Sequence, residues 1–87
     1  MSTKKTVTGV LVDVNATAGT LTIETSDGAQ RLRLEDPHYH ERGASGRAYN
    51  ALVRLEAWVG RRVRAEAQKH NAFGWTVFGG RKVKLAR

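Results

Sequence analysis

Three pairs of cationic side chains stand two residues apart in this chain: Arg31 and Arg33, Arg62 and Arg64, Lys82 and Lys84. On an extended strand a spacing of two puts both members of a pair on one face. Rows of fixed positive charge hold anions in rows, so the chemistry implied is the binding of a polyanion such as a phosphate backbone. Lys69 and Arg81 lie in the same stretch as the later pairs, and Phe73 and Phe78 are interleaved with them. Rings beside cations are what single-strand binders use to stack bases, at roughly 1–3 kcal/mol per base. The competing explanation is solubility, because strands also carry Lys and Arg to discourage edge pairing.

A second constellation is Asp36-Pro37-His38-Tyr39-His40-Glu41. Two histidines at i and i+2 project to one side of an extended segment, a spacing that can chelate a metal. A stable site needs a third and usually a fourth ligand. His70, Glu41 or Asp36 are the available donors and nothing in the sequence brings them near, so the segment reads as an ordinary polar loop and no metal or other cofactor is expected. Below about pH 6.5 these histidines gain charge and strengthen anion binding. Catalytic patterns are absent: no G-x-S-x-G, no phosphate-cradling G-x-x-x-x-G-K-[ST], no G-x-G-x-x-G entering a helix. Cysteine nucleophiles are absent too. Glu35 and Asp36 are adjacent and would point to opposite faces of a strand. The chain reads as a non-enzyme.

Charge is unevenly distributed. Residues 1–60 carry seven basic and seven acidic side chains, whereas residues 61–87 carry eight basic residues and one acid, Glu66, so the last third holds the whole net charge of +7. A concentrated field of this kind suits a negatively charged partner. With 87 residues the chain has room for one small core, and without cysteine it has no disulfide staple or Cys-based metal site. No apolar run approaches the roughly 18 residues needed to span a bilayer. The basic start lacks the apolar stretch of a signal peptide, so the expected location is the cytoplasm.

The elements that must position these side chains follow from periodicity. Residues 1–6 read as a flexible tail and 7–87 as one domain. From Thr6 the pattern has period two, with Val10, Val12 and Val14 on one face and Gly9, Leu11 and Asp13 on the other. Asn15 to Gly19 is a turn. Leu21 and Ile23 point inward on the next strand, and Ser26-Asp27-Gly28-Ala29 is a hairpin signal. Leu32 and Leu34 point inward on the third strand, Arg31 and Arg33 outward. Pro37, Gly43 and Gly46 interrupt the pattern, and Ser45 is placed to cap a helix over 47–59, whose Ala48, Leu52, Leu55 and Val59 recur at helical spacing. Gly60 ends it. Val63, Ala65 and Ala67 then point inward, with Arg62, Arg64, Glu66 and Gln68 outward. Asn71 to Gly74 is a turn. Trp75, Val77, Val83 and Leu85 share one parity across Gly79-Gly80. That favours one long strand bent at the glycines over a hairpin turning there.

Three strands, a helix and two strands make a mainly β chain in the order of the five-stranded OB-fold barrel, β-β-β-α-β-β, with the helix between strands three and four. An SH3-like barrel or another α+β sandwich is the alternative. Gly9-Val10-Leu11-Val12-Asp13-Val14, the Asp27-Gly28 hairpin and Trp58-Val59-Gly60-Arg61-Arg62-Val63 carry a resemblance to small single-domain OB proteins, including the bacterial translation initiation factor one family. That resemblance implies nucleic-acid binding. The expected partner is single-stranded DNA or RNA, held by Arg31, Arg33, Arg62, Arg64, Lys69, Arg81, Lys82 and Lys84, with Phe78 and Phe73 stacking and Tyr39 a further candidate. Trp75 and Trp58 read as core. The alternative is a module that docks an acidic protein as monomer or homodimer, and the thin supply of outward rings favours it. No membrane partner is expected.

Overall fold

The computed structural model describes residues 3–36, 44–71 and 74–86. Strands β1 (Lys4–Asn15), β2 (Thr20–Thr25) and β3 (Gly28–Glu35) form an antiparallel meander. Helix α1 (Ala44–Leu55) follows, then a 3-10 turn (Glu56–Trp58), β4 (Arg62–His70), β5 (Gly74–Phe78), a second 3-10 turn (Gly80–Lys82) and β6 (Val83–Leu85). β1 pairs with β4 through its first half and with β2 through its second, while β3 runs parallel to β5. The sheet therefore closes on itself. It is an OB-like five-stranded barrel with one helix between β3 and β4, its fifth strand broken into β5 and β6.

β1 changes partners at Val10, and two local features make the change possible. Gly9 is buried where the strand crosses β2. A Cβ there would stand 2.1 Å from the Glu24 carbonyl oxygen, so no larger residue fits. Two residues on, the ladder passes from Leu11↔Ile23 to Asp13↔Thr22, leaving Val12 as an extra residue in a bulge. The bulge resets the alternation. Leu11 before it is fully buried, and Val14 after it packs against the core although the two are an odd three positions apart. The buried face is Val7, Gly9 and Leu11, while Val10 and Val12 are exposed. The strand also begins at Lys4, inside the stretch expected to be a tail: Lys4 pairs with Gln68, and the Lys69 amide donates to the Thr3 carbonyl at 2.8 Å.

β5 and β6 lie on the same edge of β4, both antiparallel to it. They run in one direction, as a bent strand does and a hairpin does not. Three steps back along β4, from Gln68 to Ala65, are matched by seven steps forward from Thr76 to Val83, so four residues are looped out. Four is even, which is why Val77 and Val83 both reach the core. Gly79 permits the loop, with φ at 107°. Two expectations fail near the break. Leu85 is exposed although its ladder partner Val63 is fully buried, and Thr76, expected outward, is fully buried between its ladder partners Arg33 and Gln68.

The core joins Leu11, Leu21, Ile23, Leu32, Leu34, Val63, Ala65, Ala67, Val77 and Val83 from the strands to Ala48, Leu52 and Leu55 from α1. The helix is displaced from the expected 47–59. It starts at Ala44, so Ser45 lies inside it and not at its cap, and its last turn tightens to 3-10 geometry after Leu55. The tightening turns Trp58 toward the core and leaves Val59 exposed. Gly60 adopts positive φ and its amide donates to the Leu11 carbonyl at 2.7 Å, tying the helix exit to β1.

Two glycine substitutions should move stability in opposite directions. Gly9→Ala forces β1 off β2 and should cost about 1–3 kcal/mol. Gly46→Ala, in α1 with nothing within 4 Å of the added methyl, should stabilise by about 0.5 kcal/mol. Urea unfolding midpoints at unchanged m value read both.

Candidate functional site

β4 organises the site because it is bonded along both edges. β1 covers one edge from Arg62 to Gln68, and β5 and β6 share the other. Its odd-numbered residues Val63, Ala65 and Ala67 fill the core, so Arg62, Arg64, Glu66 and Gln68 must face outward. Ladder partners share a face. Arg64 therefore lies between Thr8 of β1 and Lys84 of β6, and Arg62 lies opposite Val10. Lys82 joins the same wall from the 3-10 turn, its Nζ 3.5 Å from Glu66 Oε2. Arg62, Arg64, Lys82 and Lys84 thus emerge on one outer wall. Arg62, Arg64 and Lys84 are exposed and make no ion pair among the described residues.

The remaining expected residues divide. Arg33 lies beyond β5 from this wall and is engaged by Glu35, with Nε 2.6 Å from Oε1. Arg31 faces outward opposite Thr22, on the β2–β3 side of the barrel. Lys69 has the parity of the core residues but sits past the last of them, so it emerges exposed at the mouth of the barrel opposite Trp75. Arg81 is exposed on the turn and faces α1 instead of β4. Phe78 is half-buried, its ring centroid 5.9 Å from that of His70. Phe73, Tyr39, His38, His40 and Glu41 lie outside the described residues. Among the described residues no group of three His, Asp or Glu is placed to hold a metal ion, and no helix is long and apolar enough to cross a membrane.

Two cations join the site that sequence reasoning assigned to the tail. Lys4 faces outward opposite Gln68. Lys5, opposite Ala67, sets its ammonium 4.2 Å from the centroid of the Trp75 ring, a cation–π contact that covers the barrel mouth. The signal was present in Lys5, Val7, Gly9 and Leu11, which continue the inward parity of β1 back to the start of the strand. A hollow of about 370 Å³ lies over this part of the wall, bordered by Lys4, Thr6, Glu66, Gln68, Phe78 and Lys82. Its single carboxylate, Glu66, holds Lys82 across the sheet.

The arrangement offers, among the described residues, a row of cations with one acid in it, a charge pattern suited to a chain of anions. Glu66→Gln removes the only negative charge from the row. Both partners of its ion pair are well exposed, so stability should change by no more than about 0.5 kcal/mol, while the salt concentration needed to elute the protein from a heparin column should rise. Elution at lower salt than the parent would contradict this placement of the charges. Set beside known proteins, the chain matches no family model, no curated protein and no solved structure, so its function has to be read from geometry and charge.

Proposed function

We propose that this chain is a nucleic-acid-binding module that holds single-stranded DNA or RNA along the outer wall of β4 and β6. The observation that carries the reading is the position of Arg62 and Arg64. Cations on strands serve to block edge pairing, but β4 is bonded on both edges where Arg62 and Arg64 stand. That explanation suits Lys84 on β6 and leaves the two arginines unaccounted for. Arg64 and Lys84 are moreover direct ladder partners, and like charges placed opposite each other destabilise a sheet. A pair that works against stability is accounted for by an external anion that relieves it.

Phe78 borders the hollow beside Lys82 and supplies a partly open ring for stacking. The resemblance to small OB proteins such as the translation initiation factor one family points to the same class of ligand. The role is binding without catalysis. The opposing reading, an acidic protein partner on the same cations, draws on the scarcity of rings: Phe78 is the one aromatic on this wall among the described residues. Pull-down from nuclease-treated lysate separates the two, since partners that survive the nuclease favour protein docking.

The direct test is a salt titration. Neutralising about four to six phosphates of a single strand predicts a log–log slope of about −3 to −4. Replacing Arg62, Arg64, Lys82 and Lys84 together by Ala should flatten that slope by about 3 and weaken binding by roughly two to three orders of magnitude at about 0.1 M salt, similarly for every base sequence. Parent-like binding by the quadruple variant in fluorescence anisotropy would overturn the assignment.

A further inference from the structure

A second hollow, of about 1050 Å³, lies between α1 and the Gly80–Lys82 turn. Helical spacing of three and four puts Arg47, Asn50 and Arg54 on the face of α1 that looks onto the turn. Helix and turn meet where Ala51 abuts Gly80, whose Cα hydrogen occupies a place where a Cβ would stand 2.9 Å from the Ala51 Cβ. Arg47 and Arg54 flank this contact one helical turn to either side, and Arg81 follows it on the turn. The floor is apolar, formed in part by Leu55, Val83 and one side of Trp58. Cations therefore rim a partly aromatic floor.

Two of these charges are available. Arg54 and Arg81 are exposed and make no ion pair among the described residues, whereas Arg47 is paired with the largely buried Asp36 at 3.9 Å. The cleft also connects with the wall described above, because Phe78 and Lys82 border both hollows. The looped-out residues of the broken strand form the ridge between them. An anionic chain lying on the wall reaches this ridge and meets a second set of cations on its far side.

We infer that the bound strand does not end on the β4 wall but crosses the Phe78–Lys82 ridge into the cleft under α1. There Arg54 and Arg81 take further phosphates and Trp58 offers its exposed side to a base. This rests on the nucleic-acid reading of the wall and extends the binding track to a region that wall variants do not touch. A short oligonucleotide fills the wall alone, and a longer one fills both.

The test compares oligonucleotides of about six and about twelve nucleotides, within the range of roughly 4–16 occupied per OB fold. In the double variant Arg54→Ala and Arg81→Ala, twelve-mer binding should weaken roughly ten- to thirtyfold at about 0.1 M salt, its salt slope should shrink by about 1.4, and six-mer binding should not change. In Trp75→Phe protein Trp58 is the one remaining tryptophan, and its emission should shift on saturation with the twelve-mer but not the six-mer. Unchanged twelve-mer affinity and slope in the double variant, with Trp58 emission unmoved, would overturn the inference while leaving the wall reading intact, provided the quadruple wall variant still loses the six-mer. A Trp58 response to an oligoglutamate of about twelve residues, with none to the twelve-mer, would assign the cleft to an acidic polypeptide and overturn it as well. Failure of the parent to bind either oligonucleotide removes the wall reading and this one together.

Discussion

Pairing of β1 with β4 closes the sheet, and the outer wall is a consequence of that closure. An open meander would leave β4 with a free edge and its side chains on a ribbon able to twist and fray. With β1 bonded from Lys4 to Val10, the β4 backbone is fixed from both sides over most of its length. Arg62, Arg64, Glu66 and Gln68 then project from a platform whose spacing is set by the strand repeat of roughly 6.8 Å for every second residue. Closure depends in turn on Gly9, because β1 can serve two partners only if it passes within van der Waals distance of the Glu24 carbonyl. A residue with no side chain thus governs the position of charges far from it in sequence.

The break between β5 and β6 is the second element of this design. A continuous strand would place an outward residue opposite every outward residue of β4 and nothing else. Looping out four residues keeps Val77 and Val83 in the core while lifting Arg81 and Lys82 off the ladder. Lys82 swings toward Glu66 and Arg81 toward α1. The same four residues contact the helix through Gly80, so the loop is held by packing as well as by its two ends. An odd number of extra residues would have turned Val83 outward and Lys84 into the core, a burial of charge that no small barrel tolerates.

Much of this was legible in the chain. Alternation located β2, β3 and β4 and their inward faces, and the even spacing of Arg62 and Arg64 anticipated their shared outward face, whereas Lys82 reaches the same wall from a 3-10 turn and not by strand alternation. Parity across Gly79-Gly80 distinguished a bent strand from a hairpin, although the 3-10 turn inside the bend left no periodic trace. What escaped was set by tertiary context. Lys4 and Lys5 look like tail residues until β4 is present to pair with them. The buried face of β1 could not be chosen from alternating Val and Leu, because both faces are apolar and Val12 sits in a bulge that only the β2 ladder reveals. Arg33 shares its spacing with Arg31, but Glu35, two residues along the same face, claims it. Thr76 has outward parity and is buried nonetheless, its hydroxyl donating to the Gly74 carbonyl, which alternation alone could not foretell.

The charged wall and the fold it stands on respond to salt in opposite senses, and this separates a binding surface from a structural one. Cations that serve the fold are paired, as Arg33 is with Glu35, and screening weakens them. Arg62, Arg64 and Lys84 repel one another across the ladder, so screening relieves the sheet while it removes the attraction for an external anion. A bound polyanion relieves the same repulsion without salt, and does so where the charges are densest. Glu66 tempers the row at one point only, by holding Lys82 at the edge of the ridge. Were the wall arranged for stability alone, acids would alternate with the arginines along β4 as Glu66 does; in its place Arg64 faces Lys84, and the proposed polyanion would neutralise the field that this leaves.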